Sequence, residues 1–171
     1  VGSRAGWRGN SGRLDWALSA EAERQADDRR NFENERGLPG ALVLDQAETV
    51  TSLAAAGQLS VRLGAVLFDA ALRIDRTRFE ADDRFLRGGD PDDSGARTMQ
   101  AVSPSLGVSW RPTPEVTLFS SAGSFFETPT TTELVNRPSG AGGFNPELDP
   151  RRGWNGEVGL RGGTSTDALV V

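Results

Sequence analysis

Apolar and polar side chains alternate along the chain with a period of two, in segments of about ten residues. Leu14, Trp16, Leu18, Ala20 and Ala22 alternate with Asp15, Ala17, Ser19, Glu21 and Glu23. Leu53, Ala55, Leu59, Val61 and Leu63 are set against Ser52, Gln58, Ser60 and Arg62, and Val66, Phe68, Ala70, Leu72 and Ile74 against Leu67, Asp69, Arg73 and Asp75. Val102, Pro104, Leu106, Val108 and Trp110 then alternate with Ser103, Ser105, Gly107 and Ser109. The pattern weakens over 116–126 and returns where Trp154, Val158 and Leu160 alternate with Asn155, Glu157, Gly159 and Arg161; a further segment begins near Ala168. Successive side chains of a strand point to opposite faces, so each segment predicts a strand with one apolar and one polar face. Every charge among these residues falls on the polar face. The predicted strands are 14–23, 50–63, 66–78, 99–110, 116–126 and 154–162, each the antiparallel neighbour of the next.

The connections alternate as well. Short links at 9–13, 64–65, 111–115 and 162–165 take turns with long ones at 25–48, 79–98 and 127–152. One end of the sheet is therefore expected to carry tight turns and the other long loops, the plan of an outer-membrane barrel. The three long connections hold nine Arg and sixteen acids, so the whole acidic balance of the chain resides in them. They are expected to be solvated surface.

Composition narrows the chemistry. The chain has 171 residues, 36% hydrophobic and 25% charged, which fits a single domain. Leu, Val, Ile and Phe make up only 38 residues, too few for a large conventional core. There is no Cys and no His, which removes disulfides, thiolate nucleophiles, ordinary zinc sites and a Ser-His-Asp triad. A net charge of -5 argues against nucleic acid as a partner. No stretch approaches the ~20 apolar residues of a membrane helix, which leaves a membrane barrel open.

A soluble antiparallel sandwich also alternates, with its apolar side against a second sheet. Aromatic placement favours the barrel: Trp16, Phe68 and Trp110 fall near the short-turn end of their apolar faces and Trp154 near the long-loop end, as in the two aromatic girdles of a membrane barrel. The expected fold is all-β, an antiparallel up-and-down transmembrane β-barrel, partial, with about six to seven strands of a larger barrel. Leu18, Leu59, Val61, Leu72, Leu106, Val108 and Leu160 are then lipid-facing, Trp16, Phe68, Trp110 and Trp154 sit at the interfaces, and Arg62, Asp69, Arg73, Asp75, Glu157 and Arg161 face the lumen.

At this point particular words of the sequence carry a resemblance. Phe126-Glu127-Thr128-Pro129-Thr130 with Glu133-Leu134, then Gly143-Phe144-Asn145-Pro146-Glu147-Leu148-Asp149-Pro150, then Glu157-Val158-Gly159-Leu160-Arg161-Gly162 follow one another in order. With Gln58-Leu59-Ser60-Val61, Leu72-Arg73-Ile74-Asp75 and Ser103-Pro104-Ser105-Leu106-Gly107-Val108-Ser109-Trp110, the chain resembles the C-terminal barrel portion of a TonB-dependent outer-membrane receptor over most of residues 14–162. It departs from the family where Arg151 follows the second proline and where Ile74 and Phe119 fill positions often held by Tyr. The resemblance implies residence in the outer membrane of a Gram-negative-type bacterium, with residues 1–171 as part of one barrel domain. It implies contact with outer-membrane lipid, a plug domain elsewhere in the full-length chain, the energy-coupling TonB protein, and a small chelate or vitamin as ligand. The expected function is energy-coupled uptake of a scarce nutrient such as a ferric siderophore. Alternative readings are a passive porin and a secreted or cell-surface β-sandwich serving adhesion or carbohydrate binding.

Candidate chemistry outside that frame is thin. Glu21 and Glu23 share a face about 7 Å apart, a separation that suits paired-carboxylate catalysis but also a water-filled lumen. Asp90-Pro91-Asp92-Asp93-Ser94-Gly95 lacks the spacing and distal Glu of a calcium loop, and Ser139-Gly140-Ala141-Gly142-Gly143 has no Lys after it. No catalytic residue, metal or cofactor is assigned, and no enzyme activity is expected. Arg29, Arg30 and Phe32 are the candidate ligand contacts, because Arg pairs with anions and Phe packs on a flat ligand.

Overall fold

The computed structural model describes residues 1–87, 91–135, 143–164 and 167–170, with side chains through residue 163. Among these residues eight strands lie side by side in chain order: β1 (Gly2–Ser11), β2 (Leu14–Glu35), β3 (Leu38–Leu63), β4 (Val66–Asp83), β5 (Gly95–Thr113), β6 (Val116–Glu127), β7 (Arg151–Thr164) and β8 (Asp167–Val170). All neighbours are antiparallel. Among the described residues a single short helix, α1 (Thr131–Val135), sits between β6 and β7. Among the described residues there is one sheet and no second one packed on it, which removes the sandwich reading. The accessible surface, 12051 Å² for 18.2 kDa, is about half as large again as the ~8,100 Å² of a compact monomer of that mass. This is a wall, open between β1 and β8.

Two expectations about elements are corrected. β1 precedes the predicted strands and pairs with β2 from Gly2↔Glu23 to Ser11↔Leu14. Its apolar set, Ala5 and Trp7 among Gly and Ser, is too sparse to show as alternation. Residues 25–48, expected as an outer loop, are instead the outer halves of β2 and β3, paired almost to the turn. That turn needs two left-handed residues, Arg36 at φ 57° and Gly37 at φ 90°, which matches the twist of a tight hairpin, and Asn34 Oδ1 accepts the Gly37 amide at 2.7 Å. The ladder continues past the alternating residues because backbone groups bond across strands whatever the side chains do. β4 and β5 likewise reach Asp83 and Gly95, so the second long connection shrinks to residues 84–94. The opposite end carries the tight turns Gly12-Arg13, Gly64-Ala65 and Pro114-Glu115.

Candidate functional site

Register decides which side chains share a face. Trp16, Leu59, Ala70, Leu106, Ala122 and Gly156 stand in one cross-strand row, and Leu14, Val61, Phe68, Val108, Ser120 and Val158 in the next. Trp7, Leu18, Gly57, Leu72 and Pro104 form another, and Val66, Trp110, Leu118 and Leu160 a fourth. All seven residues expected to meet lipid and all four expected interface aromatics therefore lie on one face. That face is bare: Leu106 is 67%, Leu18 53% and Trp154 74% exposed. Along β4 the apolar rows run from Val66 to Ile74, about 27 Å of strand, which at a strand tilt of about 40° rises about 21 Å along the barrel axis, most of the ~25 Å apolar band of a bacterial barrel.

The opposite face holds Arg62, Asp69, Arg73, Asp75, Glu157 and Arg161, all six of the residues expected in the lumen. Its centre is an ion network. Arg4 Nη2 lies 2.5 Å and Arg73 Nη2 3.2 Å from the two oxygens of Glu21, and Arg73 Nε donates to Asp75 Oδ1 at 2.9 Å. Glu21, one of the two neighbouring acids on β2, is thus held between two guanidiniums and is poorly placed for acid-base chemistry. Lower down, Ser60 Oγ donates to Asp69 at 2.5 Å and Asn10 Nδ2 to Asp15 at 2.6 Å. Arg161 lies over the Phe119 ring, 5.8 Å from its centre. A cavity of about 470 Å³ opens over the network, lined by Arg4, Glu21, Arg73, Asp75, Phe126 and Thr128.

Glycines accept aromatic rings from the neighbouring strand. Phe119 on β6 lies over Gly159 on β7, and Phe125 over Gly153, where a Cβ would meet the ring at 2.5 Å. On the apolar face Trp16 covers Gly9 in the same manner. Each pair fills space that a glycine leaves on a pleated surface and fixes register between the two strands.

The outer third of the polar face was not anticipated. There Phe79 on β4 and Met99 on β5 are 3% and 4% exposed, and Leu134 of α1 is fully buried against them. Val50, Phe126, Phe144 and Leu148 complete the cluster. Within the connection at 127–152, expected as solvated surface, the parts carrying Leu134 and Phe144 to Leu148 therefore fold back onto the polar side of the sheet. Arg97 holds the connection, donating to the Asn145 carbonyl and reaching Asp149 Oδ1 at 3.1 Å. Asn145 N donates to the Leu134 carbonyl at 2.6 Å, and Glu133 caps α1 by accepting from the Thr130 amide at 2.8 Å and hydroxyl at 2.9 Å. Thr130 holds the Glu133 carboxyl below the usual carboxylate range, its amide first and its hydroxyl second. A signal for this patch does exist in the sequence: apolar residues change from even to odd positions, from Val66–Ile74 to Phe79 and Ala81 on β4 and from Val102–Trp110 to Met99 and Ala101 on β5.

The three candidate ligand contacts are not gathered by the fold. Arg29 lies on the polar side, 3.6 Å from Glu48, whereas Arg30 lies on the other side, 3.4 Å from Asp45. Phe32 follows a break in register and is half exposed. In the connection after β4, Asp92 accepts the Ser94 amide at 2.9 Å and Asp83 accepts the Asp93 amide at 3.2 Å, so this acidic run is a chain of local turns. Asp90, and Ser139 to Gly142 of the glycine-rich run, lie outside the described residues.

The wall has two faces, its outer end is packed by an inward-folded segment, and it is built on an up-and-down ladder. A family model described as "TonB dependent receptor-like, beta-barrel" matches residues 3–170, nearly the whole chain. The chain belongs to the TonB dependent receptor-like β-barrel family.

Proposed function

We propose that the chain is part of the barrel wall of an outer-membrane receptor that captures a scarce nutrient, such as a ferric chelate, and imports it with energy from the inner membrane. The observation that carries this reading is the division of one sheet into an apolar face of bilayer height and an ion-lined face capped by an inward-folded segment. On this reading Leu18, Leu59, Val61, Leu72, Leu106, Val108 and Leu160 meet outer-membrane lipid. Trp16, Phe68, Trp110 and Trp154 mark its two interfaces. Arg62, Asp69, Arg73, Asp75, Glu157 and Arg161 face a lumen that a plug domain of the full-length chain occupies, and TonB engages that part. Arg29, Arg30 and Phe32 stand on a hairpin that rises past the apolar rows, where an incoming ligand first arrives. The barrel binds and conducts; it has no enzymatic step and no cofactor.

Uptake through the full-length protein, measured with radiolabelled ferric chelates, is expected to be saturable and to stop when the inner-membrane proton gradient is collapsed. Deleting residues 129–150 is expected to abolish tight capture while the barrel still inserts. Linear uptake insensitive to uncoupler would make the protein a passive porin.

A further inference from the structure

The apolar face ends differently at its two margins. Towards the tight turns its last rows are Leu14, Leu63, Val66 and Trp110, with no charge among these strand positions. Towards the long hairpin the next residues on the same face are arginines: Arg24 on β2, and Arg76 and Arg78 on β4. Register gathers them. Arg24 stands opposite Thr51, which stands opposite Arg78, so at about 4.8 Å per strand the two Cα atoms are about 10 Å apart. Arg76 stands opposite Leu53, in the row just below that of Arg24 and Arg78. Carboxylates on this face begin one row farther out and are engaged there: Glu80 with Arg78 at 2.9 Å, Asp45 with Arg30, and Asp28 and Asp82 with Arg84. Arg24 and Arg76 are exposed, and neither has a carboxylate partner among the described residues.

Directly beneath these arginines the apolar face is hollowed. Ala20, Ala22 and Ala55 are small beside Leu53 and Ile74, and together with Arg76 they line a groove of about 570 Å³. An unpartnered cation over an apolar trough fits one kind of ligand, a molecule with an anionic head and a hydrocarbon tail. Guanidinium forks match phosphate oxygens, and a positive row beside apolar surface favours anionic lipid.

We propose that Arg24, Arg76 and Arg78 bind the headgroup phosphate of a membrane lipid whose acyl chain lies in the alanine-lined groove. The proposal rests on the reading that the apolar face meets lipid. Continuity between cations and groove commits the site to a bilayer lipid rather than a dissolved anion, which has no use for the trough.

The test uses the full-length receptor in nanodiscs of phosphatidylcholine containing spin-labelled phosphatidylglycerol or spin-labelled phosphatidylcholine, with a bimane probe on Cys placed at position 22 or 106. Phosphatidylglycerol is expected to quench the position-22 probe in preference to phosphatidylcholine, and each Arg→Gln substitution at 24, 76 or 78 to reduce that preference by about fivefold. Ala55→Leu, which fills the groove and keeps every charge, is expected to reduce quenching at position 22 by both lipids. Equal quenching by the two lipids in the unsubstituted protein, or a preference unchanged in the triple Gln variant, would overturn the proposal. Loss of the preference in millimolar inorganic phosphate would overturn it in favour of a site for dissolved anions. The position-106 probe separates the two readings: unquenched by either lipid, it removes the lipid-facing assignment and the site with it. Quenching at 106 without preference at 22 removes the site alone.

Discussion

Leu134→Ala tests how the inward-folded segment is held. Leu134 is fully buried between α1 and the patch formed by Phe79 and Met99. Truncation to alanine removes three carbons, worth about 0.8 kcal/mol each in transfer alone, or about 2.4 kcal/mol. A partly collapsed cavity adds to that, giving roughly 3–4 kcal/mol in total. The strands do not depend on this contact, since their backbone bonds run from β1 to β8 without α1. The loss therefore falls on local opening, and the open population of the segment should rise by two to three orders of magnitude, from about 1.4 kcal/mol per tenfold. Hydrogen exchange by mass spectrometry on the full-length protein in nanodiscs reads this directly. Peptides spanning 128–135 and 143–150 should lose protection while those spanning 66–74 and 102–110 keep it. Equal loss in the strands would show that α1 belongs to the cooperative unit of the wall, and unchanged exchange in the segment would show that Leu134 does not anchor it.

Three further outcomes follow from the faces and their contacts. Leu106→Arg should destabilise the inserted barrel by roughly 2–4 kcal/mol, and Ser105→Arg, on the polar face, by far less; Cys at 106 should react with lipid-soluble reagents and Cys at 105 with water-soluble ones, and equal labelling would contradict the faces. Gly159→Ala drives a Cβ into the Phe119 ring and should cost about 1–3 kcal/mol in unfolding experiments, most of it recovered when Phe119→Leu is added; a neutral Gly159→Ala would refute the ring-over-glycine packing. The Glu133 carboxyl, lowered from an ordinary 4.5 by the Thr130 amide and hydroxyl, contributes stability to α1 that is complete above that value and lost as the pH falls through the lowered one. Amide exchange at Thr130, corrected for intrinsic rate, should thus gain relative speed only below about pH 4.5, and Glu133→Gln should remove the pH dependence.

What could be read from the sequence follows from how strongly solvent sorts side chains. From Leu14 to Leu160 the rows that meet apolar surroundings on one side and water on the other alternate so clearly that faces, order and pairing of six strands follow from period alone. Where both sides meet water the sorting vanishes, and Gln25 to Glu35 read as a loop although they bond to β3 almost throughout. β1 escaped for the opposite reason: Gly2, Gly6 and Gly9 give the pattern little to sort. Arg97 and Asn145 were invisible as partners because they are 48 positions apart, and only the fold brings the segment carrying Leu134 and Asn145 over β5. The candidate ligand residues are dispersed for another reason. Arg29 and Arg30 are adjacent in sequence, and adjacency in a strand sends side chains to opposite faces.

The change from even to odd apolar positions on β4 and β5 can be treated as a half-period phase slip in a wave. The backbone itself does not slip: pairing of β4 with both neighbours continues without a bulge through residues 74–79. Chemistry changes sides while geometry stays regular, so the height at which apolar side chains pass from the bare face to the face covered by α1 is written into the strands as a ruler mark. Inserting two residues within 75–78 would lengthen the ruler and keep Phe79 directed at Leu134. Inserting one would invert everything above the mark, turning Phe79 towards the bare face and Glu80 towards the segment that should cover Phe79.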